Sequence, residues 1–238
     1  MTLLFVSGVL FVAAFVRALA GFGDALIAMP LLAAAVGLSV ATPVVGIASV
    51  IISVAVLAVS WRSLDFATSW RLLLASMAGI PFGLILLTRV DEWVMHVVLG
   101  VVLVGYGLYN LLRPGLPALH GEGWAFPFGF IAGILGSAYN TSGPPVIIYG
   151  TMRRWPPDTF RATLQGFFLI NSLMIVSSHA LAGLWTATVW ELVLWSLPAL
   201  LLGIAAGIVV QRYVPAASFG RLVYALLVAI GVIFLLPL

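Results

Sequence analysis

Two short runs in this chain carry residue types suited to holding a small anion. Asn140-Thr141-Ser142-Gly143-Pro144 offers three side-chain donors, a glycine that lets backbone approach closely, and a proline fit for the first turn of a helix. Gly21-Phe22-Gly23-Asp24 offers two glycines and a carboxylate ahead of an apolar stretch. Where such runs open helices, the unbonded N–H groups and the helix dipole favour negative charge. The plainer reading is that both runs cap kinked helices. Asp24 likewise has two readings. A carboxylate inside a bilayer costs about 2.5–3.5 kcal/mol and must be paired, hydrated or protonated, which suits a proton-coupling group or a cation contact. Alternatively it caps the segment that starts at Ala25, satisfied by local N–H groups. Arg161 enters a later apolar segment, either to receive an anion or to anchor at lipid headgroups.

Other chemistry is sparse. Cysteine is absent, and His96, His120 and His179 are far apart. There is no HExxH, Walker A or GxGxxG pattern. No metal, no cofactor and no catalytic residues are therefore expected. An intramembrane hydrolase would need Ser142 and His179 within hydrogen-bond reach, a minor alternative. All ten basic residues are arginines, and no basic cluster exceeds Arg153-Arg154. A nucleic-acid partner is excluded on that ground.

The elements that must position these residues follow from composition. Of 238 residues, 63% are hydrophobic and 7% charged, with a mean hydropathy of +1.24. Soluble domains carry about 25% charged residues, so lipid must be the solvent for most of this chain. One crossing takes about 20 residues, so the length supplies roughly eight to ten segments and leaves no room for a soluble head. The first stretch, Met1 to Ala20, lacks a positive n-region and reads as a retained membrane segment rather than a signal peptide.

Apolar runs fall at 2–20, 25–38, 41–60, 71–88 and 94–112, then, after a loop at 113–123, at 124–139, 144–152, 162–185, 190–211 and 220–238. The two halves share punctuation. Each has an early break, at 21–24 and 139–145. Ala41-Thr42 matches Ala162-Thr163, and Gly79-x-x-x-Gly83 matches Gly203-x-x-x-Gly207. Segments 25–38 and 144–152 are short, and freed backbone groups in a membrane must be buried in protein or line a cavity. A re-entrant hairpin in each half meets that demand.

With ten segments, one side receives Arg62, Arg71, Arg113, Arg153, Arg154, Arg161, Arg212 and Arg221, and the other receives Arg89, while Arg17 sits at a hairpin tip. The positive-inside bias then puts both termini outside. Five segments per half also inverts the second half relative to the first. The expected fold is an all-α polytopic membrane protein. Residues 1–112 form the first repeat, 113–123 the connecting loop and 124–238 the second, inverted repeat, the plan of secondary transporters.

Gly21-Phe22-Gly23 with Pro30, then Gly136, Thr141-Ser142-Gly143-Pro144-Pro145 and Arg161-Ala162-Thr163, resembles the sulfite exporter TauE/SafE family, across both halves of the chain. The resemblance implies transport of small anions (sulfite, thiosulfate, sulfoacetate and other organosulfur or carboxylate compounds), with proton coupling as an option and the two hairpins as the substrate site. Family members usually continue the first motif with glycines, where this chain has Asp24-Ala25. A negative charge there needs a proton or a cation beside it.

The sequence thus points to a bacterial inner-membrane secondary transporter working by alternating access, with a channel as the alternative. The anion would bind at Gly21, Phe22, Gly23, Asn140, Thr141, Ser142, Gly143, Pro144 and Arg161, and Asp24 would couple a proton. The expected partners are the anionic substrate and the bilayer. A homodimer stays open, since the sequence does not set the oligomeric state.

Overall fold

The computed structural model describes residues 1–60, 66–112, 115–211, 213 and 216–236, and the side chains among them outside 59–60, 66–68, 157–158, 161 and 216–223. Ten α-helices are found there. They are α1 (Thr2–Ala20), α2 (Asp24–Val36), α3 (Leu38–Ser60), α4 (Phe66–Arg89), α5 (Glu92–Leu112), α6 (Ala125–Tyr139), α7 (Gly143–Met152), α8 (Pro157–Leu181), α9 (Ala187–Gln211) and α10 (Ala216–Leu235). A 3-10 turn, Glu122–Trp124, leads into α6. Among the described residues six helices are long and apolar enough to cross a membrane, and no strand occurs. Large apolar side chains face outward along them, including Leu74, Met77, Phe82 and Ile85 on α4 and Leu194, Trp195 and Leu202 on α9. Such an exterior is unfavourable in water and natural in lipid.

The short elements are those the punctuation foretold. With 10 residues, α7 rises about 15 Å, half of a hydrocarbon core. It packs on α6, as α2 packs on α1. Helix α8 starts earlier than hydropathy suggested. Pro157 opens it at 157 rather than 162, because proline tolerates a first helical turn whose N–H has no partner anyway. It also ends at Leu181, not 185, where Gly183 turns the chain with a φ of 74°.

Glycines set the closest crossings. On α4, a Cβ added at Gly79 or Gly83 would collide with carbonyl oxygens of Phe130 and Ile134 on α6. Gly129 and Gly133 on α6 return the arrangement against Leu72 and Ser76. Gly203 and Gly207 on α9 lie in the same way against Phe11 and Phe15 of α1. Helices in lipid gain little from hydrophobic transfer between them, so close backbone approach and dispersion must hold them. Both small-residue motifs read from the sequence do this, one in each half. A third close crossing, α5 against α10 through Gly100, Gly107 and Gly231, was not anticipated.

Candidate functional site

Each break opens on a residue in the left-handed region. Helix α1 ends at Gly21, with φ 85°, whose N–H donates to the Arg17 carbonyl at 2.7 Å. Helix α6 ends at Asn140, with φ 54°, whose N–H donates to the Gly136 carbonyl, also at 2.7 Å. Glycine and asparagine are the residues that accept this conformation at low cost. Three residues later the chain re-enters a helix. Gly23, with φ 101°, precedes α2, and Ser142 precedes α7, whose first turn carries Pro144 and Pro145.

The two re-started helices meet across a small cavity of about 20 Å³. Phe22, Gly23 and Asp24 line it from one side and Asn140, Thr141, Ser142, Gly143 and Pro144 from the other. Gly21 makes the first break but stands outside the lining. Arg161 lies in α8, and its side chain is outside the described residues. The cavity is completed by Arg17 from α1, Ser49 from α3, and Phe168, Ser172 and Ile175 from α8. At this size it holds about one water, and an anion of several heavy atoms needs the tips to part.

Asp24 is not a helix cap. Helix α2 begins at Asp24 itself, after Gly23, and its carboxylate is held by side chains. Arg17 Nη1 donates to Asp24 Oδ1 at 2.9 Å, and Ser49 Oγ donates to Asp24 Oδ2 at 2.6 Å. Arg17 Nη2 donates to Ser53 Oγ at 2.7 Å, one turn along α3 from Ser49. The guanidinium carbon sits 4.8 Å from the centre of the Phe168 ring, a cation–π arrangement. Its Nε has no hydrogen-bond partner among the described residues. Arg17 and Asp24 are each 4% exposed. The capping reading of Asp24 is thereby replaced by a buried ion pair.

The second tip is neutral and partly committed. Asn140 Nδ2 donates to the Thr42 carbonyl at 2.6 Å, and Gly46 makes room for that amide, since a Cβ there would lie 3.1 Å from its oxygen. Thr141 is tied more weakly, through Oγ1 to the Leu135 carbonyl at 3.4 Å. Ser142 Oγ makes no hydrogen bond among the described residues, which leaves it free toward the cavity. On α8, Asn171 accepts from Ser76 Oγ at 2.5 Å as an interhelical bond, while Thr163 Oγ1 is buried with no partner. His179 bonds the Ser137 carbonyl through Nε2 at 2.9 Å and does not line the cavity with Ser142. The nucleophile–base pair that a hydrolase would need is not formed.

Sequence reasoning named eight of the residues that line this cavity and missed Arg17, Ser49 and the α8 face. The available signal was the arginine itself, an ionisable group inside an apolar stretch seven residues before a carboxylate.

A family model described as sulfite exporter TauE/SafE matches residues 6–234. A protein of Cupriavidus necator, described as a probable sulfite/organosulfonate exporter TauE, is 26% identical over 179 residues, covering 71% of this chain and 69% of that protein. No solved structure matches the chain. The family match runs through both breaks and nearly every helix, and this multi-pass membrane transporter belongs to the sulfite exporter TauE/SafE family.

Proposed function

We propose that this chain carries a small sulfur oxyanion, organosulfonate or carboxylate across the bacterial inner membrane by alternating access, with the anion bound between the two helix breaks. The observation that carries this reading is the meeting of two helix starts at one buried, polar cavity lined by a guanidinium. Fixed N–H groups and a cation in a site out of water are the means of replacing an anion's hydration shell. The relative's description supplies the sulfur-anion class. The cavity holds about one water in this conformation, which suits a carrier rather than an open pore.

The packing supports the inverted-repeat plan within the proposal. Exchanging α1–α5 with α6–α10 turns the α4–α6 crossing into α9–α1, maps the α5–α10 and α3–α8 contacts onto themselves, and takes α4–α8 to α9–α3, all of which occur. Two halves related in this way can rock against one another about a shared site. In this reading Asp24 carries the coupled proton, since an anion entering next to it leaves the carboxylate to be neutralised, and Arg161 assists from the cytoplasmic side. The same reading has both termini outside, from the arginine bias of the loops.

The test is purified protein in liposomes loaded with a pH dye, challenged with sulfite, thiosulfate, sulfoacetate and acetate. Saturable, protein-dependent acidification by one of these anions, absent with a cation control and lost on changing 140–143, is expected. Uptake of radiolabelled anion with no dye response would remove Asp24 from the coupling. No uptake of any anion would overturn the transport reading itself.

A further inference from the structure

We propose that Arg17 is the residue that receives the anionic group of the substrate, and that the Asp24 carboxylate occupies its place while no substrate is bound. This rests on the transport reading above and names its specificity-determining cation and the mechanism of exchange.

Four observations carry it. First, the pair lines the cavity rather than lying behind it. Second, the guanidinium is incompletely used. Arg17 reaches Asp24 through one N–H nitrogen and Ser53 through the other, and its Nε is buried without a partner among the described residues. A guanidinium presents five donors in a planar fork that fits the oxygens of carboxylates and oxyanions, so a lone carboxylate oxygen leaves capacity for a better-fitting anion. Third, the pair is not needed to make the break. The positions four residues before and three after the left-handed residue are Arg17 and Asp24 in the first half and Gly136 and Gly143 in the second, and the second break has the same hydrogen bond at 2.7 Å without any charge. Fourth, Asp24 has somewhere to stay when displaced, because Ser49 holds its second oxygen independently of Arg17.

The exchange is charge-balanced. An anion that takes Arg17 leaves Asp24 facing Ser49 of α3 and the neutral tip residues Asn140 and Thr141, with Phe168 and Ser172 of α8 alongside. No second cation faces it among the described side chains. The other described charges lie near helix ends. The released carboxylate therefore takes up a proton as the anion binds. For a singly charged anion this makes the empty and loaded states equal in charge, which lowers the cost of moving either one through the membrane.

Binding of sodium sulfite, thiosulfate and sulfoacetate to detergent-purified protein, followed by isothermal titration and thermal shift, tests this. Asp24→Asn removes the internal competitor and is expected to tighten binding of the preferred anion about tenfold or more, the worth of one charge-assisted hydrogen bond. The same variant should gain more thermal stability from the anion than wild type does. The neutral double variant Arg17→Gln with Asp24→Asn keeps polar partners on both sides and is expected to fold but to lose anion binding. Binding retained by the folded double variant, or weakened by Asp24→Asn, overturns the exchange and leaves the transport reading standing. Failure of wild type to bind any of these anions overturns both.

Discussion

The two helix breaks use one backbone device for two different chemistries. Both stop a helix with a left-handed residue, both close it with a 2.7 Å bond to a carbonyl four residues back, and both restart a helix three residues later. They differ in what stands at the flanking positions. The first break carries an arginine and an aspartate that satisfy one another and two serines. The second carries glycines at those positions and surrounds itself with close helix contacts. A Cβ at Gly136 would lie 2.7 Å from Ile175 Cδ1 and 3.2 Å from Ser142 Cβ. Breaking a helix inside the membrane therefore needs no charge. The charge in the first half is an addition to the architecture, and additions that cost burial energy are the places to look for function.

The comparison can be broken most forcefully at the ion pair. Arg17→Gln alone leaves Asp24 buried without its cation and is expected to cost about 3–5 kcal/mol of stability, read as a large fall in melting temperature in detergent. The double variant Arg17→Gln with Asp24→Asn should recover most of that loss. Equal stability of the single variant and wild type would show that Asp24 does not rely on Arg17.

A carboxylate moved to the other tip should be poorly tolerated. Gly143→Asp places one at the position equivalent to Asp24, on the cavity whose one described arginine, Arg17, is already paired with Asp24. The expected cost is about 2.5–3.5 kcal/mol, the insertion penalty of an uncompensated charge. Expression and melting at wild-type levels would mean that Arg17 or a proton compensates the second carboxylate as well.

The smallest effects concern the left-handed residues. Gly21→Ala forces a Cβ residue to a φ of 85° and should cost about 1–2 kcal/mol, although its space is open enough, the nearest atom being Gln165 Nε2 at 3.6 Å from the added carbon. Asn140→Gly releases conformational strain but gives up the bond to the Thr42 carbonyl, so its stability should change by less than about 1 kcal/mol. Reduced transport with unchanged melting would assign Asn140 to the site, and unchanged transport would assign it to the break alone.

Much of this arrangement was legible in the sequence because the membrane narrows the options. With 7% charged residues the chain could not be soluble, and apolar runs separated by glycine and proline gave the helices to within a few residues. Segments too short to cross marked the breaks, since freed backbone groups in lipid need protein around them. Gly79, Gly83, Gly203 and Gly207 signalled close crossings, and all four are found at them. The start of α8 was misplaced because hydropathy is blind to the polar first turn, which extends the helix back past Arg161 to Pro157.

The sequence by itself determined the solvent, the helical class and where the helices must break, because those depend on hydrophobicity and on local backbone preference. The tertiary structure alone decided what Asp24 does. In a straight helix Arg17 and Asp24 would lie about 10 Å apart along the axis. They meet because the chain turns through two left-handed glycines between them. The serines that complete the pair come from α3, more than twenty residues further on, and the opposing tip from the other half of the chain. Local pattern carries no record of such partners, since a buried carboxylate chooses among whatever the packing of other helices brings within hydrogen-bond reach.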